Sequence, residues 1–359
     1  MSTLELQNLT KQYGALTAVN NASLKVNSDE VLCLLGPSGC GKTTTLRMIA
    51  GLEFANSGDI FINNNNVNNK NTRQRNIAMA FQFYALYPSL SVSENLANPL
   101  YAENISSEKI NKKIGEIAEI LQLKNILKRK PHQLAEGEKQ RVAVGRAIIR
   151  DPECFLFDEP LSRLDVQLRE TMRGQIKEVL SDLKKATVIV THDQLEALTM
   201  ATKIAVMRDG LIEQISTPHN IFAKPQNTFV AGFIGTPQMN LMSAQFIKKE
   251  NNICQFNIFR QNINIKFTQS YELDPNLSYT MGIRPRSFEI NEEQNTQTFS
   301  GTIELIENMG AEMLLHVKND EETLRAVTRR TSNLHIGNKI HLAPKIDQTH
   351  IFNADGEVL

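Results

Sequence analysis

The stretch "VLCLLGPSGCGKTTT", from Val31 to Thr45, decides how the rest of the chain is interpreted. An apolar run leads into a glycine-rich turn, and a segment of helical character follows. Within it, Gly36 to Thr43 reads "GPSGCGKT" and matches the full pattern G-x-x-x-x-G-K-[ST]. Glycines allow the backbone N–H groups of such a turn to point inward at phosphate oxygens, and the helix start adds partial positive charge. The stretch therefore predicts a phosphate-binding loop between a buried strand and a helix.

The side chains of this loop suggest separate roles. Lys42 is placed to contact the β- and γ-phosphates of a nucleotide, and the hydroxyl of Thr43 is placed to bind Mg²⁺. The residues of the loop predicted to bind nucleotide are Gly36, Pro37, Ser38, Gly39, Cys40, Gly41, Lys42, Thr43 and Thr44.

A second motif, "CFLFDEP" at 154–160, has the form of a buried strand that ends in two carboxylates. Asp158 is placed to hold the Mg²⁺ shell, and Glu159 is placed to polarise an attacking water as a general base. On its own, an Asp-Glu pair at the end of a strand is usually a solvated turn. The phosphate loop elsewhere in the chain favours the functional interpretation.

The alternation of apolar and polar segments predicts the fold. Residues 2–35 indicate antiparallel strands that lead into a buried central strand. Strands alternating with helices then predict a mostly parallel sheet covered on both faces, into which a helical block at about 89–150 is inserted. The Asn-rich segment 63–75 is interpreted as a loop or hairpin tip. The chain is divided into a domain at 1–235 and a small all-β domain at 236–359, with a barrel as one form of the latter.

Composition limits the function classes. The 359 residues carry 39 basic and 39 acidic side chains, so no global attraction to nucleic acid or to an anionic membrane follows. The first residues lack the pattern of a signal peptide, and no apolar run approaches the roughly 18 residues of a spanning helix. Any membrane role is therefore predicted to be peripheral. The cysteines form no C-x-x-C pair, which favours a reducing, cytosolic compartment.

The two motifs resemble those of the ATP-binding-cassette (ABC) transporter ATPases, and the resemblance runs over nearly the whole chain. "FQFYALYPSLSVSENLANPL" is similar to the Q-loop of that family, "LSRLDV" to its D-loop and "THDQLEAL" to its switch region. The resemblance implies an α/β fold: a P-loop NTPase core of the ABC-ATPase type with antiparallel β and helical subdomains, followed by a small all-β regulatory domain of the OB type. It also implies ATP and Mg²⁺.

The resemblance assigns further residues by their positions in these motifs. Gln82 is expected to sense Mg²⁺ and the attacking water, and His192 to contact the γ-phosphate. Asp165 is expected to cross a dimer interface, and Tyr13 to stack on adenine. The predicted metal ligands are thus Thr43, Gln82 and Asp158, and the predicted catalytic residues are Glu159 and His192.

A narrower resemblance is carried by "YALYPSLSVSEN", "FVAGFIGTPQMNLM" and "GIRPRSF", which are similar to importer ATPases of the maltose and sn-glycerol-3-phosphate type. It implies a homodimer at the cytoplasmic face of the membrane, beneath two integral-membrane permease subunits, with an extracytoplasmic solute-binding protein outside. ATP sandwiched between the two subunits closes the dimer, and hydrolysis reopens it. Residues 84–89 become candidates for the groove that contacts the permeases.

The family signature L-S-G-G-Q is altered in this chain, which has "LAEGE" at 134–138. The resemblance implies that Ala135 and Gly137 face the γ-phosphate bound by the opposite subunit. The methyl group of Ala135 cannot donate a hydrogen bond, and losing one to a charged group costs about 1.5–3 kcal/mol, or roughly 10- to 100-fold in rate or affinity. Glu136 either repels the phosphate or turns to solvent as an ordinary first-turn acid. We expect weakened hydrolysis that an Ala135→Ser/Glu136→Gly double variant speeds up.

Several alternatives stay open from the sequence. The altered signature is compatible with a regulatory subunit that binds ATP and turns over little, or with a heterodimer in which a partner supplies an intact signature. Polyamine, ferric iron or sulfate remains possible instead of a sugar or glycerol phosphate as the imported solute. A chromosome- or repair-type ATPase is disfavoured, because the short segment between phosphate loop and signature leaves no room for long coiled coils.

Overall fold

The computed structural model describes residues 3–103, 105–267, 271–291, 293 and 297–359. Its contacts divide the chain into two compact units, residues 1–221 and 222–359. This division lies earlier than the junction predicted at residue 235. The reason is that Ala231 packs with Met239 and Phe352 in a small core cluster of the second unit.

The described strands of the first unit form two sheets. They are β1 (Leu4–Tyr13), β2 (Leu16–Val26), β3 (Val31–Leu35), β4 (Ser57–Ile62), β5 (Asn65–Asn66), β6 (Ile77–Ala80), β7 (Cys154–Asp158), β8 (Ala186–Thr191), β9 (Lys203–Arg208) and β10 (Leu211–Ser216). The first sheet is antiparallel, with the order β2-β1-β4-β5. The second has the order β10-β9-β3-β8-β7-β6 and is parallel except for the edge pair β10–β9. Both predicted arrangements are confirmed.

Three central strands of the parallel sheet, β3, β7 and β8, are buried along their whole length. A parallel sheet covered on both faces selects such continuous apolar runs. Their registers pair Leu35 with Thr191 and Asp158 with Val190, so the three strands end side by side. The loops that follow them therefore meet at one edge of the sheet, as expected for a ligand site in an open α/β sheet.

The described helices of the first unit are α1 (Lys42–Ala50), α2 (Thr72–Arg75), α3 (Val92–Ala97), α4 (Ser107–Ile120), α5 (Glu136–Ile148), α6 (Val166–Leu183) and α7 (Gln194–Met200). Helices α3 to α5 lie between β6 and β7 in sequence, although these two strands are paired, which confirms the predicted helical insertion. Ile110, Ile114 and Ile117 form the buried face of α4. Within the described part of the chain, no helix is long and apolar enough to cross a membrane.

The Asn-rich segment 63–75 begins as the predicted hairpin tip, since β5 pairs antiparallel with β4 across residues 63–64, and it continues into a helix that was not predicted. It contains the short strand β5, and it ends in α2, whose start is closed by a reciprocal capping box between Asn71 and Gln74. Arg75 at the end of α2 is buried and donates to the carbonyl groups of Met48 and Ile49. The helix was missed because its stability comes from this capping and from Arg75 closing the end of α1, not from an apolar repeat.

The second unit is all-β apart from short helical segments, and this prediction is confirmed. Helix α8 (Pro218–Ala223) crosses the boundary of the units in sequence, and α9 (Thr228–Phe233) follows. The described strands are β11 (Asn240–Glu250), β12 (Ile253–Ile258), β13 (Gln261–Lys266), β14 (Ser278–Ile283), β15 (Phe288–Asn291), β16 (Phe299–Asn308), β17 (Glu312–Lys318), β18 (Thr323–Arg329), β19 (Lys339–Pro344) and β20 (Thr349–Phe352). They form two antiparallel sheets, β13-β12-β11-β14-β20 and β15-β19-β16-β17-β18, around one apolar core.

Candidate functional site

The loop between β3 and α1 requires glycine at two of its positions. A Cβ atom on Gly36 would lie 2.2 Å from the carbonyl oxygen of Met207. Gly41 has a φ of +102°, and a Cβ there would lie 2.3 Å from the carbonyl oxygen of Ala18. At both positions the loop backbone lies too close to a neighbouring carbonyl group for any side chain to fit. Glycine therefore allows the tight turn that a phosphate-binding loop needs.

Lys42 directs its charge into this curve. Its side chain is buried, and Nζ donates to the carbonyl oxygens of Gly36 and Pro37, both at 2.8 Å. The sulfur of Cys40 lies 3.6 Å from the same nitrogen. A buried ammonium whose oxygen partners are neutral carbonyls favours an anionic ligand, since an opposite charge stabilises it further.

Thr43 and Asp158 meet at the ends of α1 and β7. The Thr43 hydroxyl donates to Asp158 Oδ1 over 3.1 Å. Burial raises the pKa of the Asp158 carboxyl, the Thr43 hydrogen bond opposes this, and the neighbouring Glu159 charge adds to the rise. A cation beside Asp158 would favour its ionised form, and hydroxyl and carboxylate oxygens are the ligands that Mg²⁺ prefers. These residues therefore fit a magnesium ion.

Glu159 occupies a constrained turn directly after β7. Its φ of 52° lies in the left-handed region, which is uncommon for a residue with a side chain. The turn is held because the Glu159 N–H donates to the carbonyl of Val190 at 2.9 Å, while the Glu159 carbonyl accepts from Gln140 Nε2 at 3.1 Å and Ser162 Oγ at 3.2 Å. Such a held outlier at the end of a strand is typical of a functional position.

The Glu159 carboxylate contacts two other predicted site residues, Gln82 and His192. Gln82 Nε2 donates to Oε2 over 2.9 Å, and His192 Nδ1 lies 3.0 Å from Oε1. The Glu159 side chain is 19% exposed, whereas His192 is 58% exposed. One carboxylate is thus oriented by an amide on one side and an imidazole on the other, with solvent access, as a general base that acts on water requires.

Tyr13 and Asp165 are both exposed, and they lie on separate elements. Tyr13 ends β1, and its ring centroid is 4.8 Å from Lys11 Nζ. Asp165 caps α6, because its side chain accepts from the N–H of Leu168 at 2.9 Å. This capping role was not foreseen from the sequence. The stacking role of Tyr13 and the interface role of Asp165 stay predictions.

The altered signature forms the start of α5. Ala135 is the capping residue, and its methyl group offers no acceptor to the first turn of the helix. Glu138 supplies one half of a capping box, since its carboxylate accepts from the Ala135 N–H at 2.8 Å. Gly137 is closely packed, because a Cβ there would lie 3.1 Å from Leu164 Cδ2. The backbone geometry of a helix start is therefore kept, and the capping hydroxyl is lost.

Glu136 is exposed, as expected of a first-turn acid that turns to solvent, and its carboxylate is also bound by side chains of its own chain. Its Oε2 accepts from the Tyr84 hydroxyl at 2.7 Å, and its Oε1 accepts from Lys139 Nζ at 2.7 Å. Arg163 Nη1 is 3.7 Å from Oε2. The hydrogen bonds from Lys139 and Tyr84 hold the pKa of Glu136 below its ordinary value. The carboxylate is therefore ionised at neutral pH and bound within its own chain, with two cations beside it.

Two buried polar residues of the site were missed from the sequence. Gln140 of α5 joins the Glu159 carbonyl to the backbone N–H of Arg163, which donates to Gln140 Oε1 at 3.1 Å. Glu196 of α7 is buried and accepts from the hydroxyl of Thr191, the last residue of β8. The available signal was a polar residue at a helix position that faces the sheet, which periodicity alone does not separate from a solvent-exposed one.

Comparison with known proteins identifies the family. The sequence model of the ABC transporter family matches residues 19–162, and that of the TOBE domain matches residues 281–352. The trehalose/maltose import ATP-binding protein MalK of Thermococcus litoralis is 40% identical over 369 residues, which cover 98% of each chain. The chain belongs to the ABC transporter ATP-binding proteins. ABC ATPases bind and hydrolyse ATP, so the predicted enzyme class is confirmed.

Other members of the ABC family give the same result. The sn-glycerol-3-phosphate import ATP-binding protein UgpC of Brucella abortus is 42% identical, with 99% of each chain covered. A solved dimeric ATP-binding cassette in a post-hydrolysis state, bound to ADP and Pi, superposes with a TM-score of 0.56 at 30% identity. It covers 60% of this chain and 98% of its own. The ABC fold implied by the resemblance of the sequence motifs is therefore confirmed.

Proposed function

We propose that this chain is the ATP-hydrolysing, energy-coupling subunit of an ABC importer for a sugar or a glycerol-3-phosphate-like solute. The observation that carries the proposal is the Glu159 carboxylate, held between Gln82 and His192 beside the Thr43–Asp158 pair. The solute class is supported by relatives, about 40% identical, that are named for trehalose, maltose and sn-glycerol-3-phosphate import. We assign this chain the same class.

The roles of the side chains follow from their positions. Lys42 and the inward N–H groups of the phosphate loop bind the β- and γ-phosphates and orient them toward the end of β7. Glu159 accepts a proton from the attacking water, and Gln82 and His192 fix the direction of its carboxylate. His192 is exposed, so it is free to contact the γ-phosphate and stabilise the charge that develops there.

Thr43, Asp158 and Gln82 are the residues proposed to hold Mg²⁺. When bound, this ion neutralises charge on the β- and γ-phosphate oxygens. Among the described residues, no group of three His, Cys, Asp or Glu side chains is arranged to hold a metal. Mg²⁺ does not need such a group, because it uses one or two protein oxygens, such as those of Thr43 and Asp158, and completes its shell with phosphate oxygens and water.

The proposed assembly contains two copies of the nucleotide-binding unit. Tyr13 stacks on adenine of the nucleotide in its own subunit, and the start of α5 with Asp165 faces the nucleotide held by the other. ATP closes this dimer and hydrolysis reopens it. This motion is passed to two permease subunits, to which a solute-binding protein delivers the solute from outside. The chain is then a peripheral protein of the cytoplasmic face of the membrane.

A second candidate is an ATP-binding regulatory subunit with little turnover. Ala135 favours it, because the signature hydroxyl is absent from both sites of a homodimer. The contacts around Glu159 favour the hydrolase, since a chain that only binds ATP has no need to orient a general base.

Steady-state Mg-ATP hydrolysis by the Glu159→Gln variant separates the two candidates. We expect turnover to fall about 10²- to 10⁴-fold, because a positioned base contributes that much. ATP affinity should change little, since the carboxylate does not hold the phosphates. Glu116→Gln, an exposed position on α4, is the matched control. A parent that binds ATP yet hydrolyses it no faster than Glu159→Gln would establish the regulatory candidate instead.

A further inference from the structure

Helix α5 contacts the segment that carries Gln82 through two of its side chains, one near each end of the helix. Near the end of the helix, Arg146 donates to the carbonyl of Ala85 at 2.6 Å and to that of Tyr84 at 3.4 Å. At the start of the helix, Glu136 accepts from the Tyr84 hydroxyl at 2.7 Å. The first contact uses backbone carbonyls. The second depends on two side chains, one of which replaces a glycine of the usual signature.

The same segment is tied to the catalytic carboxylate. Gln82, two residues before Tyr84, donates to Glu159, and Gln140 of α5 donates to the Glu159 carbonyl. Contacts thus run from the start of α5 through Glu136, Tyr84 and Gln82 to Glu159. A shift of the helix start changes the position of Gln82 as long as every contact in this series is present.

The contact between Tyr84 and Glu136 is electrostatically favourable. Lys139 and Arg163 compensate the carboxylate, and a hydroxyl bonded to a charged acceptor forms one of the stronger hydrogen bonds in proteins. The guanidinium of Arg163 also lies 5.7 Å from the Tyr84 ring and 5.5 Å from the Phe83 ring. Burial and the bond to Glu136 raise the pKa of Tyr84, so its hydroxyl stays a donor at neutral pH.

We propose that Glu136 is a positioning residue that fastens the Gln82–Tyr84 segment to the start of α5 through the Tyr84 hydroxyl, so that Gln82 moves with the helix start. The inference deepens the proposed function and rests on it only for its effect on turnover. A glycine at position 136 has no side chain with which to make this connection, so the Glu136→Gly half of the signature-restoring double variant should slow turnover and any gain should come from Ala135→Ser. The altered signature of this chain thus contains an intrachain contact in place of a flexible residue.

A double-mutant cycle on turnover tests the role of the contact. Tyr84→Phe and Glu136→Ala should each lower kcat for Mg-ATP about 3- to 10-fold, the size expected for one charge-assisted hydrogen bond. KM for ATP should change less than about twofold, because other residues bind the nucleotide. The double variant should be no slower than the slower single variant, and Glu136→Gln, which keeps the acceptor, should retain most of the activity.

Two substitutions serve as matched controls for this cycle. Tyr101→Phe removes the hydroxyl of an exposed tyrosine outside the contact series, and Glu116→Ala removes an exposed carboxylate from α4. Neither should change kcat. Independent, multiplicative losses in the Tyr84→Phe/Glu136→Ala variant, or a Glu136→Gln variant as slow as Glu136→Ala, would overturn the proposal.

A fluorescence measurement tests the contact without hydrolysis. The chain contains no tryptophan, so Phe83→Trp introduces a single reporter beside Tyr84 at a position that is 71% exposed. In the absence of nucleotide, Tyr84→Phe and Glu136→Ala should each raise acrylamide quenching of this tryptophan, by no more than about 1.4-fold because the position is already 71% exposed. The combined variant should show the same value, and Glu136→Gln should match the parent. Equal quenching in all five proteins would overturn the proposal.

The two readouts separate failure of this inference from failure of the proposed function. If hydrolysis depends on Glu159 while Tyr84→Phe and Glu136→Ala change neither kcat nor quenching, the positioning role falls and the ATPase stands. If the parent shows no hydrolysis while quenching follows the predicted cycle, the proposed function falls and the contact stands.

Discussion

The phosphate loop and the start of α5 are both glycine-containing segments expected to face ATP, and they differ in how they are built. In the loop, Gly36 and Gly41 are required by backbone that approaches within 2.3 Å of where a side chain would begin. At the start of α5, Glu136 is exposed, and its side chain extends to Tyr84 and Lys139. The first segment is fixed by sterics, whereas the second has room for a side chain.

This difference explains why one motif matches its family pattern fully and the other does not. A change in the loop would displace the strand and helix on either side of it. A change at the start of α5 keeps the helix, because Glu138 still accepts from the N–H of Ala135. It alters what the helix start offers to a ligand, and through Glu136 it adds a contact to Tyr84. The altered signature therefore indicates a modified contact surface within an intact nucleotide-binding fold.

The largest expected effect tests whether sterics fix the glycines of the phosphate loop. Gly41→Ala should abolish measurable ATP binding and destabilise the first unit by about 2–4 kcal/mol, because φ is +102° and the new Cβ would meet the Ala18 carbonyl. Gly115→Ala, with nothing within 4 Å of the new Cβ, is the control and should stabilise α4 slightly. Equilibrium ATP binding and urea unfolding measure both. Normal binding by Gly41→Ala would show that the loop is more tolerant than its geometry indicates.

The next prediction concerns the buried Glu196 carboxyl, which accepts from the hydroxyl of Thr191 at the end of β8. Burial raises the pKa of Glu196 to about 7; the Thr191 hydrogen bond and the charges of Arg173 and Arg169 oppose the rise, and that of Asp193 adds to it. The folded chain therefore keeps a proton that the unfolded chain has lost above pH about 4.5. The contribution of Glu196 to stability is full below that pH, falls as the pH rises to about 7, and is constant above it.

The measurement is urea unfolding of the parent and of Glu196→Gln between about pH 5 and pH 8. Between these limits, the parent should lose up to ~3 kcal/mol relative to the variant, which has no carboxyl to ionise. Because other titrating groups are common to both proteins, they cancel in the difference. Parallel pH profiles would mean that Glu196 is ionised across this pH range in the folded chain. Water would then reach its carboxyl more readily than its burial indicates.

A third prediction addresses the capping hydroxyl missing from the start of α5. Ala135→Ser should raise turnover about 10-fold, because the hydroxyl adds one hydrogen bond to a charged phosphate. It should also stabilise the helix by about 1 kcal/mol, since serine can accept from the first turn where alanine cannot. Turnover at saturating Mg-ATP and thermal unfolding test the two parts separately. A gain in stability without a gain in rate would place the α5 start away from the nucleotide.

The smallest effect concerns the remaining cap. Glu138→Ala removes the acceptor for the Ala135 N–H and should destabilise the first unit by about 0.5–1 kcal/mol, with little change in ATP affinity. In an Ala135→Ser background the loss should be about the same, because the serine hydroxyl accepts from the N–H of residue 138 and leaves the N–H of residue 135 to the Glu138 carboxylate. Thermal unfolding of the four proteins measures it. A loss that disappears in the Ala135→Ser background would show that the two side chains serve the same N–H group, contrary to this geometry.

Backbone-determined features could be predicted from the sequence, and side-chain contacts between distant segments could not. The phosphate loop, the buried strand before Asp158 and the helical insertion were predictable, because glycine spacing and hydrophobic periodicity encode them locally. The contacts of Glu136 with Tyr84 and of Glu159 with Gln82 join residues 52 and 77 positions apart. Since no local rule fixes such a pairing, the direction of the Glu136 side chain remained undecided until the fold was known.

Steady-state Mg-ATP hydrolysis by the parent, Glu159→Gln and Ala135→Ser proteins tests the central claim most directly. The claim is that the chain is a working ATPase whose own half of the site is complete and whose weakness lies at Ala135. It predicts measurable turnover by the parent, loss of about 10²-fold or more in Glu159→Gln, and a gain of about 10-fold in Ala135→Ser. A parent rate equal to that of Glu159→Gln, and unchanged by Ala135→Ser, would contradict it.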